Sequence, residues 1–274
     1  MFRLRRIHRR LGCAGAAVLF SVAHASSAAD AVVERLDHAQ IDWSSGEIVA
    51  TGSGAPKLDL GNVAKVRLEA ERAAKLDAYR HVLEALEGVR VTVSASGRDR
   101  LAQPRVRTTV QGLLSGCSVK DTRYYSDGGV DVVLRCPFKG GLATALAPTG
   151  PRTQLSEGGE TKITGLILDA SGVGARPVLI PTVEDGQGRV ILGPKILSEE
   201  SLRRHGGVAY AASVEEAKTH ERVGATPVTV RVSTASGKGW TLAPGEADKL
   251  AGLDLGFVAE GSVVVVMSGS AGAR

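Results

Sequence analysis

The sequence predicts an α+β protein of two small domains. The first is a long Ala-rich helix packed on a mostly antiparallel sheet, and the second is richer in strands with short helices. Three observations carry this. Apolar residues recur at helical spacing over residues 63–86. Val89, Val91 and Val93 then alternate with polar residues at strand spacing. A polar run rich in Pro, Gly and Ser, residues 147–162, separates that half from a second set of short valine-rich segments.

Residues 1–29 read as a signal peptide. Arg3, Arg5, Arg6, Arg9 and Arg10 precede any acid, and a short apolar run over residues 11–25 ends in Ala23-His24-Ala25. That small-x-small pattern predicts cleavage after Ala25, with Ala28 and Ala29 as later alternatives. The run is too brief to span a bilayer, and no later segment is longer and apolar enough. The expectation is a periplasmic or secreted product with no integral membrane segment after cleavage. Five of the 34 basic residues lie in this segment, leaving 29 against 29 acids, so the mature chain is close to neutral. A neutral chain has no electrostatic footprint for nucleic acid, and none is expected as a partner.

The predicted first domain spans residues 30–146. Residues 41–51, with the Ser44-Ser45-Gly46 turn, form a hairpin. The helix over residues 63–87 places Val63, Val66, Ala70, Ala73, Leu76, Tyr79, Leu83 and Leu86 on one face. The small Ala70 and Ala73 predict close approach to a sheet, and Gly88 is expected to end the helix at positive φ. A strand over Val89, Val91 and Val93, a helix over residues 105–114, and a hairpin of residues 117–125 and 130–136 complete it.

After the 147–162 linker, the second domain covers residues 163–267. Strands are expected at 163–168, 178–183, 189–192, 228–232 and 263–267. Ser213 and Glu216 are spaced as a capping box, and Pro244 and Gly252 bracket a further short helix. Residues 268–274 are expected to form a tail without structure.

Cys117 and Cys136 are the only cysteines left after signal removal, and an oxidising compartment favours their pairing as a disulfide. Both fall on the inward face of the hairpin. A two-residue turn over Asp127-Gly128 would leave them diagonal, whereas a four-residue loop over 125–128 would set them directly opposite.

No residue is assigned a catalytic, cofactor or metal role. Gly52-Ser53-Gly54 lacks the third glycine of a dinucleotide fingerprint, where Lys57 stands, and reads as a loop. Neither a phosphate loop nor a nucleophile elbow is present. Asp77 with His81, and Glu216 with His220, have metal-ligand spacing, but each pair stands alone and reads as a solvated helix face. Trp43 and Trp240 could stack on a sugar, and read instead as core or turn anchors.

The run Glu71-Arg72-Ala73-Ala74-Lys75-Leu76-Asp77-Ala78-Tyr79-Arg80, continued by Leu83-Glu84-Ala85-Leu86-Glu87-Gly88-Val89-Arg90-Val91, resembles the Ala-rich helix and strand of the bacterial lipoprotein family called Lpp-twenty. That family is related to the flagellar assembly protein T of the periplasmic H ring. Ser126-Asp127-Gly128-Gly129-Val130-Asp131-Val132 is similar to its late hairpin, and Thr164-Gly165-Leu166-Ile167-Leu168-Asp169-Ala170, with Gly172 and Pro177, to a downstream segment. The resemblance implies a non-enzymatic envelope protein that assembles with other cell-envelope proteins and needs no cofactor. The chain departs from the lipoprotein members in having no lipobox, since Cys13 stands at the start of the apolar run rather than at its end. The competing expectation is a binding module or hydrolase acting on cell-wall glycan or peptide.

Overall fold

The computed structural model describes residues 31–57, 59, 61–138, 140–151, 153, 162–237, 239–268 and 271–272. The expected signal peptide, the Ala25 cleavage site and most of the expected linker lie outside the described residues.

In chain order the elements are β1 (Val33–Arg35), β2 (Ala39–Asp42), β3 (Glu47–Gly54), α1 (Val63–Gly88), α2 (Gly97–Leu101), α3 (Pro104–Leu114), β4 (Ser118–Tyr124), β5 (Val130–Pro137) and α4 (Gly141–Leu146). The second half follows with β6 (Gly165–Asp169), β7 (Val183–Glu184), β8 (Val190–Leu192), α5 (Glu199–His205), β9 (Ala209–Ala211), α6 (Val214–Thr219), β10 (Pro227–Ser236), β11 (Gly239–Leu242), α7 (Gly256–Ala259), β12 (Val263–Val266) and β13 (Ala271–Gly272).

The first unit is α1 laid across a sheet of order β13-β1-β2-β3-β5-β4, antiparallel except where β13 meets β1. Asn62 starts the helix, its side-chain oxygen accepting from the Ala64 and Lys65 amides at 2.8 and 3.3 Å. The face turned to the sheet is Val66, Ala70, Ala74, Ala78, Val82 and Ala85, a strict four-residue step before its last member. This corrects the expected stripe: Val63 and Leu76 are each 70% exposed, and Ala73 is exposed. The reason lies in the sheet. A Cβ on Gly52 would stand 2.1 Å from the Ala78 nitrogen, and one on Gly54 1.9 Å from the Ala70 oxygen. Alanine on one surface and glycine on the other let helix and sheet approach so closely that larger apolar residues are displaced to the outer side. Gly52 and Gly54 are accordingly strand residues of β3, not loop residues.

Gly88 stays helical; the extended cap is Val89, whose fully buried side chain draws the chain into the core. Residues 89–93 form no strand of a sheet. Arg90 and Val91 instead accept from Leu179 and Ile180 at 2.8 and 3.0 Å, so two segments each expected as sheet strands bind one another across the units. Of residues 178–183, only Val183 lies in a strand.

The second sheet has the order β8-β7-β11-β10-β6-β12-β9. Its centre is parallel, β6 lying between β10 and β12, and β12 against β9. Such strands are covered on both faces, which explains runs like Val263-Val264-Val265-Val266. Leu166, Leu168, Val263 and Val265 join the large core shared with Ile41, Ile48, Leu86 and Phe138 of the first unit. Ile167, Val264 and Val266 face the other way, in a cluster with Ala217 of α6. The α+β reading, with the long helix on an antiparallel sheet and a strand-rich second half, is what the structure shows. Ser213 caps α6 by accepting from the Glu216 amide, while the Glu216 carboxylate accepts from Ala212 rather than from Ser213. The tail is partly ordered: Ala271 and Gly272 lie parallel to Glu34 and Arg35. The free edge of β1 offers unpaired backbone groups that small residues can reach without a packing demand.

Candidate functional site

Asp77 and His81 do share a face of α1, and His38, which sequence spacing could not connect to them, completes the group. His81 is buried, and its Nδ1 lies 2.7 Å from the Thr51 carbonyl and 3.8 Å from Asp77. Because the carbonyl only accepts, Nδ1 carries the proton, which leaves Nε2 to accept from Arg80 at 3.3 Å. The His38 ring stacks on it with centroids 4.4 Å apart. Burial works against ionisation of Asp77, but the Ser53 amide and the Arg80 guanidinium hold its carboxyl below the usual range. A general base needs its lone pair turned to substrate; here it is turned to Arg80. The group fastens α1 to β3.

Glu216 and His220 each serve the local backbone: the Glu216 carboxylate accepts from the Ala212 amide. His220 closes α6, and its Nδ1 accepts from the Arg222 amide at 3.1 Å. Trp43 and Trp240 are 5% and 2% exposed, so neither offers the open ring face a sugar platform requires. Trp43 instead joins the units, standing edge-on to Phe138 and to Tyr210 with centroids 5.5 Å from each. Tyr210 is held by the Val178 backbone, donating to its carbonyl at 2.6 Å and accepting from its amide at 2.8 Å, and burial pushes its hydroxyl pKa up. Arg176 adds a further tie across the units, donating to Glu34 at 2.7 Å.

Cys117 and Cys136 stand opposite one another at disulfide distance, with Cα atoms 4.4 Å apart. Neither anticipated turn produces this. Five residues, 125–129, separate the paired Tyr124 and Val130, and a bulge between Val119 and Asp121 shifts the register by one. Continuing the pairing of Ser118 with Arg135 then sets cysteine against cysteine. Cys136 is buried as expected, but β4 is an exposed edge strand on which Val119 is 48% exposed.

Two surfaces stand out. One is made of exposed large apolar side chains, Leu68 and Leu76 on α1 and Val119 and Tyr124 on β4, where Tyr124 reaches α1 by donating to Glu71 at 2.9 Å; Val63 in the first turn of α1 and Tyr125 just past β4 are exposed as well. The other is a cleft of about 420 Å³ between the units, lined by Trp43 and Phe138 from the first and by Arg204, His205, His220 and Arg222 from the second. Sequence reasoning missed the cleft's arginines, for which the cluster Arg203-Arg204-His205 before Gly206-Gly207 was the one available signal. Among the described residues no helix is long and apolar enough to cross a membrane, and no group of three His, Cys, Asp or Glu could hold a metal ion.

The sequence model of a family described as Treponema pallidum Tp0624, second domain, matches residues 165–269. That stretch runs from β6 through β12, the strand-rich second unit. No curated protein matches the chain.

Proposed function

We propose that this is an exported cell-envelope protein that acts by binding other envelope proteins, in motility or secretion assemblies of the kind the Lpp-twenty and flagellar assembly protein T resemblance implies. The observation that carries the reading is the set of large apolar side chains left exposed on α1 and β4. Large apolar side chains left in water on one helix and its neighbouring edge strand are what a docking partner would cover. The signal-like segment over residues 1–29 and the resemblance of residues 71–91 support the setting.

A photo-crosslinking residue placed at Leu76 or Tyr125 in the native host tests it, with exposed Gln187 of the second unit as the control position. Discrete protein adducts are expected from the first two and not from the third. Cleavage of peptidoglycan by the purified protein, together with equal adducts at all three positions, would replace the assembly reading with that of an envelope hydrolase.

A further inference from the structure

The cleft between the units is lined by several hydrogen-bond donors, Arg204 and Arg222 among them. Arg222 donates Nη1 to the Gly207 carbonyl at 2.6 Å and Nη2 to the His205 carbonyl at 2.8 Å, and among the described residues it makes no ion pair. Its desolvation lowers the guanidinium pKa to about 10, offset in part by the neighbouring Glu221, so it remains a cation at neutral pH. The Trp43 indole N–H is buried without an acceptor among the described residues. Arg204 shares its partner, Glu200, with Arg203, which leaves that end of α5 with more positive than negative charge. The one acid lining the cleft among the described residues is Glu221, whose side of the chain is open to water.

A partly desolvated cation bonded to carbonyls, with no carboxylate in ion-pair contact among the described residues, favours an anion brought from outside, because a charged acceptor makes a stronger hydrogen bond than water or a carbonyl does. The other wall is apolar, formed by Trp43, Phe138 and Leu179. The volume is within the range of small-molecule sites. We infer that this cleft binds the carboxylate or phosphate group of a small ligand whose apolar part rests against Trp43, Phe138 and Leu179. The inference does not rest on the assembly role proposed above, since it uses a different surface and no residue of α1 or β4.

Calorimetric titration of the intact protein tests it with three probes that share a phenyl ring: N-acetylphenylalanine, its neutral amide N-acetylphenylalaninamide, and phenyl phosphate. Saturable binding of at least one anion is expected, and which anion binds tells carboxylate from phosphate. The amide should bind at least about tenfold more weakly. Arg222 also closes the end of α5, so Arg222→Gln is read only with its circular dichroism. Arg204→Gln and Trp43→Phe, which leave that closure intact, are each expected to weaken anion binding about threefold or more. Absence of saturable heat with both anions, equal binding of the amide, or unchanged affinity in both Arg204→Gln and Trp43→Phe overturns the inference.

Discussion

The edge of Trp43 meets the ring of Tyr210 at 70°, centroids 5.5 Å apart, and through this contact the first sheet is keyed into the second. The two residues come from opposite halves of the chain, yet both belong to one buried cluster. The units are therefore expected to unfold together. A double-mutant cycle of Trp43→Leu and Tyr210→Leu should give a coupling of about 0.5–1.5 kcal/mol, and Trp43→Ala alone should cost about 3–5 kcal/mol in urea denaturation. Two separate transitions in the native protein would contradict the shared core.

The close approach of α1 to β3 predicts an unequal response to small changes. Gly54→Ala puts a methyl group where the Ala70 carbonyl stands, so helix and sheet must part, and a loss of about 3 kcal/mol or more is expected. Leu76→Ala removes far more surface but from an exposed site, and should change stability by no more than about 0.5 kcal/mol. Denaturant midpoints of the two variants decide it, and a reversed order would mean the helix face is assigned wrongly.

Residues 30–274 prepared under oxidising conditions and denatured without reductant should show no free thiol, since Cys117 and Cys136 stand at bonding distance. Reduction should lower stability by about 3 kcal/mol, the size expected for closing a loop of this length. Deleting Lys120, the extra residue at the bulge between Val119 and Asp121, should leave Val119 opposite Leu134 and Cys117 opposite Cys136, so that no thiol becomes titratable.

Asp185 gives the acid response a local origin. Burial opposes its ionisation, but the Arg189 and Gln187 amides and the Arg189 side chain outweigh this and hold its carboxyl below the usual range. A carboxyl whose folded value lies below its unfolded one stabilises the fold above the unfolded value, and that contribution is lost as pH falls through the folded one. Native protein should therefore lose stability below about pH 4. Asp185→Asn should be less stable at neutral pH and show a shallower acid loss. Parallel curves for the two proteins would exclude this residue as a source.

Legibility in the sequence followed how local the cause was. The hairpins, α1 and α3 are marked by short-range period and turn residues, and they fall where expected. The face of α1 was not legible, because it is set by Gly52 and Gly54 on another element; counting apolar residues favoured Leu76 over Ala74 and Ala78. The disulfide pairing was legible from composition alone, but its register depended on a bulge that no residue pattern marks. The cleft was least visible of all. Trp43 and Arg222 lie in different halves of the chain, and only the packing of one unit on the other brings them to one cleft.

The parallel centre of the second sheet has a consequence for the order in which the protein can be made. β6 leads its unit, yet its neighbours are β10, through Gly165 with Pro227, and β12, through Leu166 with Val263. Neither edge of this central strand can be satisfied while the chain behind it is short. A nascent chain that has reached β9 holds an apolar strand with both sides open, and nothing downstream is yet available to close it. Folding of the second unit is thus postponed by topology until nearly the whole of it has been synthesised, and the interval before β12 emerges is when the chain is most dependent on being kept apart from its own copies.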